Sequence, residues 1–419
     1  MKTMTSGLRV LLVLLALSLF SAAVTGAEIY FRATYLWVVF LAFNWVWARL
    51  SLWGLRVHRQ ARVQRAEMGQ VFEERFTLQN PRGMRRLWVE VRDDSPLPGA
   101  SGSQVFSNVG KFEERSYISR VRLLQRGVFP LGPTVLASSD LFGIFPVEQA
   151  YAPSQHLTVY PLMVHLRAFP EPAGMLPGGE ALRRRTLQTT PNAAGVREYA
   201  PGDPLNRIHW PTTARRERLM VKEFELDPQA EVWLFLDGEA AVHARQPWEA
   251  HFDPRDLWVA HEKTPLPPDT AEYAASIAAS LTRYYLEQRR SVGLVSHGRE
   301  ALVLPAEQGS RQLLKVLDTL ALWQPQGTLP LAGMVEAQAT HLPRGSTAVL
   351  ITPSPRMDVA LAVGYLQARG LRPVVVLLQA DTFGGAQGSD MLARRLAGMQ
   401  VSVRQVACGD DLQRALEYH

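Results

Sequence analysis

The sequence predicts a multi-domain chain: an N-terminal transmembrane helical hairpin, an antiparallel β-sandwich and then an α/β doubly wound domain. Three observations predict it. Two apolar runs open the chain, Leu8 to Val24 and Ala33 to Trp53, each long enough to cross a hydrocarbon layer as a helix. Residues 63–169 then read as short alternating strands broken by proline and glycine turns. From residue 227 strands and helices alternate, the mark of a parallel sheet covered on both faces. At 419 residues the chain exceeds what one core serves, and a hydrophobic content of 47% supplies two.

The hairpin is assigned to residues 1–55, with only a short polar patch around Glu28 and Arg32 between its runs. Lys2 and Arg9 precede the first run, and Arg56, Arg59, Arg62 and Arg65 follow the second with no acid until Glu67. The positive-inside rule therefore puts both flanks in the cytoplasm. The small residues Ala22, Ala23, Gly26 and Ala27 leave a cleaved signal as the alternative for the first run. A stop-transfer second helix would then leave the rest of the chain on the same side. The expected location is the cell inner (plasma) membrane with the soluble domains facing the cytoplasm. Trp37, Trp45, Trp47 and Trp53 fit an interfacial belt in part. A pI near 9.5 admits nucleic acid or an anionic membrane as partner. The juxtamembrane arginines and the lack of interleaved stacking aromatics decide for the lipid bilayer and against nucleic acid. One cysteine, Cys408, excludes an internal disulfide.

The sandwich, residues 63–169, carries predicted strands at Phe72–Gln79, Leu87–Arg92, Arg115–Leu124 and Val128–Ala137. The pieces Leu123–Gly127 and Asp140–Gly143 read as turns with buried aromatics. A linker at 170–194 follows, and its Arg183-Arg184-Arg185 reads as a solvated patch.

Residues 195–226 form a charged signature segment, in which eleven of 32 residues are charged. Pro201-Gly202-Asp203-Pro204 is a turn in which Pro201 presets φ and Gly202 tolerates a positive one. Arg197, Arg207, Arg215 and Lys222 stand against Asp203, Glu217, Glu223 and Glu225, as an ion-pair network or as arginine forks presented to a partner. The string R-E-Y-x-P-G-D-x-x-x-R-I-H-W-x-x-x-A-R, followed by L-M-V-K-E-F-E, resembles the signature of the bacterial family catalogued as domain of unknown function 58. Upstream, Arg126–Pro133 and Ser139–Phe145 resemble that family's β-rich segment. The resemblance implies a von Willebrand factor A-like domain downstream and association with MoxR-type AAA+ ATPases. On it, Arg197, Tyr199, Gly202, Asp203, Arg207, His209, Trp210, Arg215, Lys222 and Glu223 are the candidate partner-binding residues.

In the α/β domain, residues 227–419, strands are predicted at Glu231–Asp237, Ser291–Ser296, Ala301–Leu304, Thr347–Thr352, Pro373–Gln379 and Val401–Ala407. Helices are predicted at Ala271–Arg290, Arg311–Leu322, Met334–His341, Asp358–Arg369 and Ser389–Met399. The first is capped by Asp269 and Glu272 and turns Ala274, Ile277, Ala278, Leu281 and Tyr285 to one side. This order resembles a von Willebrand A domain, whose cation-binding loop reads D-x-S-x-S. Here that loop reads Asp237-Gly238-Glu239-Ala240-Ala241, and the loop after Thr352 reads Pro353-Ser354-Pro355 without a carboxylate. Asp237 and Glu239 are therefore a degenerate remnant, and no metal is expected.

Between Gly238 and Pro268 an insertion holds His243, His251 and His261 beside Glu249, Asp253, Asp256 and Glu262. Their spacing matches no compact zinc motif, and Trp248, Trp258 and the prolines suit a partner-binding or packing loop. No nucleophile elbow, Walker loop or H-E-x-x-H helix appears, so no catalytic residue and no cofactor is assigned. The reading is a membrane-anchored cytoplasmic adaptor that presents a degenerate von Willebrand A-like domain to a MoxR-type AAA+ ATPase and other membrane or cytoplasmic proteins. The alternative is a hydrolase or metal-dependent enzyme using His209, Asp203 or Asp237.

Overall fold

The computed structural model describes residues 5–82, 84–99, 102–170, 193–200, 208–224, 231–248, 265–298 and 300–417. The chain divides into two units, residues 1–162 with 248–267, and residues 163–247 with 268–419.

The first unit opens with α1 (Ser6–Thr25) and α2 (Glu28–Leu52), both long and apolar enough to cross a membrane. Thr5 caps α1 by accepting from the Leu8 N–H, and Gly26, at φ 67, ends it in the left-handed conformation that glycine adopts freely. The helices then pair back to back, with Thr34 Oγ1 donating to Ser18 Oγ at 3.1 Å. Ala48, Ser51 and Leu52 of α2 are buried, and only Trp53, Gly54 and Leu55 separate the helix from the first strand. Arg86 closes its last turn by donating to the carbonyls of Leu50 and Trp53, a cation on the negative end of the helix.

Ten strands follow: β1 (Arg56–Ala61), β2 (Arg65–Glu67), β3 (Val71–Gln79), β4 (Arg86–Asp93), β5 (Gln104–Val109), β6 (Glu114–Arg122), β7 (Gly127–Pro130), β8 (Thr134–Ser138), β9 (Val147–Tyr151) and β10 (His156–Tyr160). They form sheets ordered β1-β3-β6, β2-β10-β7 and β5-β4-β8-β9. One core joins Leu52 and Leu55 to Phe76, Leu78, Val89, Val91 and Leu136, and a second gathers Met68, Phe72, Leu123, Leu131, Leu157 and Val159.

One expectation is corrected here. The stretch Val128–Ala137 is two strands, because Leu131-Gly132-Pro133 breaks the ladder and proline has no N–H to donate. Of the arginines after α2, Arg56 and Arg59 lie in β1. The Arg59 side chain is 8% exposed and donates to two buried carboxylates, Glu74 Oε1 at 2.9 Å and Asp93 Oδ1 at 2.7 Å. Arg62 instead pairs at the surface with Glu73, its side chain 76% exposed.

The second unit begins with β11 (Ala193–Glu198), α3 (Trp210–Arg216) and β12 (Met220–Phe224), where β11 and β12 pair antiparallel. Then come β13 (Val232–Leu236), α4 (Thr270–Glu287), β14 (Val292–His297), β15 (Ala301–Glu307), α5 (Ser310–Leu322), α6 (Leu331–Ala339), β16 (Thr347–Thr352), α7 (Asp358–Ala368), β17 (Arg372–Leu378), α8 (Ser389–Gly398), β18 (Ser402–Val406) and α9 (Leu412–Glu417). The sheet order is β15-β14-β13-β16-β17-β18, all parallel except the edge strand β15. This is the doubly wound order 3-2-1-4-5-6. Trp233 and Phe235 pack with residues of α6, α7 and α8, and α4 packs on the sheet beside α5.

Asp269 caps α4 as expected, its Oδ1 accepting from the Ala271 N–H at 2.7 Å. The single apolar face expected of α4 is too narrow, for Thr270 through Thr282 are all buried. Its outer side is covered by the segment that opens the unit: the Val164 N–H donates to Ser280 Oγ, and Phe169 packs edge-on against Tyr285. Cys408 lies in the turn after β18 and not on the strand.

Replacing Arg59 with alanine leaves Glu74 and Asp93 buried without a cation and is expected to cost about 3–5 kcal/mol. Arg62→Ala is expected to leave stability nearly unchanged. Denaturant melts of the two variants check this, and equal losses would refute the division of roles.

Candidate functional site

At the carboxyl edge of the sheet, β13 and β16 lie side by side and their connections leave in opposite directions, the switch point where ligands of open α/β sheets bind. The register Leu236↔Ile351 sets Asp237 beside Thr352. Asp237 is 1% exposed. Its Oδ2 accepts from Thr352 Oγ1 at 2.6 Å and its Oδ1 from the Glu239 N–H at 3.1 Å. The Asp237 carbonyl pairs with His243 Nε2 at 2.9 Å, while His243 Nδ1 pairs with Thr270 Oγ1 at 2.9 Å. Those two contacts orient the imidazole edge-on to Trp323.

Glu239 turns the other way and meets Arg356, which donates to both of its carboxylate oxygens, Nη1 to Oε1 at 2.9 Å. Glu239 is 8% exposed and Arg356 42% exposed, so the pair closes the site from the solvent side. Arg356 also faces Asp358 at 3.4 Å. The backbone around the site is tight: a Cβ on Gly238 or on Gly327 would run into the His297 carbonyl. The Gly327 N–H donates to the Gly238 carbonyl at 2.8 Å, and the Ala240 N–H to the Gly327 carbonyl at 2.9 Å.

Burial pushes the Asp237 carboxyl up to about 6, against the opposing pull of its hydrogen bonds from Thr352 and the Glu239 N–H. The site does not fit the divalent cation implied by the von Willebrand A-like reading. Such an ion needs open oxygen donors in a group. Here both Asp237 oxygens accept hydrogen bonds, both Glu239 oxygens are held by Arg356, and the second serine position is Ala241. The positive charge that faces Glu239 is the Arg356 guanidinium.

The signature segment forms a hairpin. Arg197 pairs with Val221 across it and Val196 with Lys222, while Glu223 pairs with Gly195. The Tyr199 N–H donates to the Leu219 carbonyl at 2.8 Å, and the His209 N–H to the Met220 carbonyl at 2.7 Å. Ile208, Met220 and Val221 are buried beneath it. Thr213 Oγ1 accepts from the Met220 N–H at 3.0 Å, and His209 Nδ1 pairs with Thr212 Oγ1 at 2.7 Å. On this frame α3 buries none of its residues: Trp210 is 64% exposed, and Arg215 and Arg216 are exposed. Gly202, Asp203 and Arg207 lie outside the described residues, as do the side chains of Arg197, Lys222 and Glu223 and the insertion residues His251 and His261.

Sequence reasoning found Asp237 and Glu239 but missed Arg356, His243's contact with the Asp237 carbonyl and the glycine pair. The available signal was the strand order, because the loops after the first and fourth strands of such a sheet face each other. Arg356 lies four residues after the end of β16, in that second loop.

Residues 195–246 match the family described as "Protein of unknown function DUF58". The chain is 24% identical over 213 residues to "Uncharacterized protein YeaD" of Bacillus subtilis (strain 168), a stretch covering 51% of this chain and 46% of that protein. The match thus takes in just under half the length of that relative. Among solved structures, the CARDB domain of the PF1109 protein from Pyrococcus furiosus matches 25% of this chain and 91% of its own, at 13% identity and a TM-score of 0.19. A beta-glucosidase from Listeria innocua matches 23% of this chain and 16% of its own, at 8% identity and a TM-score of 0.13.

A carboxyl raised to about 6 stays protonated in the folded chain where the unfolded chain has ionised. Its contribution to stability is therefore full below about pH 4 and lost as pH rises through about 6, a decline of about 3 kcal/mol. Asp237→Asn should remove that slope in denaturant melts taken across this window, and parallel pH profiles for the two proteins would refute the assignment. Millimolar magnesium or manganese should leave the melting temperature of the wild-type chain in place, whereas an ion at about a hundred times its dissociation constant adds roughly 2.7 kcal/mol. A shift that disappears in Asp237→Ala would show that the site takes a cation after all.

Proposed function

We propose that this DUF58-family chain is a membrane-anchored adaptor whose second unit, a von Willebrand A-like domain with a closed ion site, is presented to protein partners on the cytoplasmic side. A MoxR-type AAA+ ATPase is the foremost of these partners. The observation that carries the proposal is α3, where Trp210 stands 64% exposed next to exposed arginines on a hydrogen-bonded frame. Tryptophan and arginine are the residues that dominate interface hot spots, and a pre-ordered frame lowers the ordering cost of association. Leu219 and Val196, 44% and 37% exposed, add apolar surface to the same hairpin.

The strand order and the carboxylate at the switch point support the von Willebrand A-like reading. The pairing of Arg356 with Glu239 supports recognition over metal chemistry, since it leaves a fixed, partly exposed guanidinium where an ion would otherwise bridge to a partner's carboxylate.

Trp210→Ala and Arg215→Ala remove exposed side chains, so each should change stability by no more than about 0.5 kcal/mol. Each should also reduce recovery of an AAA+ ATPase when the intact protein is captured from its own membranes. Recovery of that ATPase unchanged by both substitutions, or its absence from the wild-type capture, would sink the proposal.

A further inference from the structure

We infer that the loop between β8 and β9, residues 139–146, is a membrane-inserting wedge that seats the first unit on the proximal leaflet of the bilayer crossed by α1 and α2. The inference rests on the reading of those helices as membrane spans. Leu141 and Phe142 are 51% and 64% exposed at the tip of this loop. The loop holds its shape from within. Asp140, 1% exposed, accepts from the Phe142 N–H at 3.0 Å on one carboxylate oxygen and from the Phe145 N–H at 2.6 Å on the other. Those bonds turn the two apolar side chains outward on a rigid frame.

The helices locate the tip. Thr5, the cap of α1, donates its hydroxyl to the Ile144 carbonyl at 2.8 Å, so the base of the loop lies level with the start of the first span. Farther along, the Phe142 ring meets the Phe40 ring of α2, their centroids 5.2 Å apart. Phe40 lies five residues before Trp45, about 8 Å deeper along the helix axis. Trp45 carries the Arg49 guanidinium 5.5 Å from its ring centroid, and Trp53 carries that of Arg82 at 3.6 Å, an aromatic and basic collar of the kind that marks a headgroup layer. A tip about 8 Å beyond that collar reaches the boundary of headgroups and acyl chains where interfacial segments bury their apolar side chains.

A lipid occupant also accounts for the composition. From Leu141 to Val147 the loop reads Leu-Phe-Gly-Ile-Phe-Pro-Val, without a charge between Asp140 and Glu148. A water-exposed turn on a soluble sandwich would place polar residues at its tip, and the exposed apolar pair here is continuous with the lipid-facing surface of α2, where Val39 and Phe43 are 66% and 52% exposed.

The test uses the full-length chain with Cys408→Ser, reconstituted in vesicles of phosphatidylcholine with phosphatidylglycerol. An environment-sensitive fluorophore is placed on Phe142→Cys and, separately, on Leu141→Cys, whose side chain does not stack on Phe40. Leu17→Cys, within α1, reports insertion of the span, and Val105→Cys, on the edge strand β5 far from β9 in the sheet order, reports the aqueous surface. Both loop labels should be quenched roughly twofold more by lipids carrying a doxyl group high on the acyl chain than by lipids carrying it deep, and should be protected from aqueous iodide relative to position 105. Iodide access at 141 and 142 equal to that at 105, with position 17 still lipid-quenched, overturns the wedge and leaves the spans standing. Protection from iodide without lipid quenching overturns it in favour of a protein cover. Loss of lipid quenching at position 17 removes the spans and the wedge together.

Discussion

A guanidinium covalently tied to the chain occupies the place at the sheet edge where a doubly wound domain of this order would otherwise seek an outside ligand. Arg356 on Glu239 sets the electrostatics there: it offsets the charge of a nearly buried carboxylate and shuts the solvent side. Asp237, itself 1% exposed, is left to be satisfied by Thr352 and a backbone N–H. Bidentate arginine suits this role because its charge is permanent and its fork matches a carboxylate. An exchangeable ion would make the edge responsive to its concentration. A side chain makes the same arrangement constitutive.

The α/β unit was the most legible part of the chain because its physics is local. Strands buried on both faces must read as continuous apolar runs, as Val232–Leu236 and Thr347–Thr352 do, and the helices between them announce themselves by caps such as Asp269. What could not be read is what depends on distant partners. Glu239 and Arg356 stand 117 positions apart, and nothing near either residue names the other. The burial of α4 on every side from Thr270 to Thr282 likewise depends on the remote segment around Val164 and Phe169. Nothing in the sequence around Gly238 and Gly327 tells that the fold sets both against the His297 carbonyl.

The sandwich shows a different failure of legibility. Strand β1, Arg56–Ala61, reads Arg-Val-His-Arg-Gln-Ala, and a polar run after an apolar helix looks like an interfacial cluster. Its central arginine instead serves the interior, with its guanidinium shared between Glu74 and Asp93 and lying 4.9 Å from the Phe76 ring centroid. Arg59 and Arg62 are the same residue type three positions apart, and only the acids that await them on other strands distinguish a buried tie from a surface contact. In the signature segment the candidate residues divide in the same way. Tyr199 and His209 are tied to the hairpin through their N–H groups, and Trp210 and Arg215 stand outside it.

The three-residue passage from α2 into the sandwich is clamped by contacts on both sides. Arg86 grips the last carbonyls of the helix, Tyr151 donates to the Leu55 carbonyl, and Leu52 lies in the sandwich core. With those ties in place, the rotation of the sandwich about the α2 axis follows the helical phase of α2. Each residue of a helix advances it by about 1.5 Å and a hundred degrees, so lengthening this one by a single position would lift the sandwich slightly and swing it through more than a right angle. The length of α2 thus sets the bearing of the sandwich as well as its height along the helix axis.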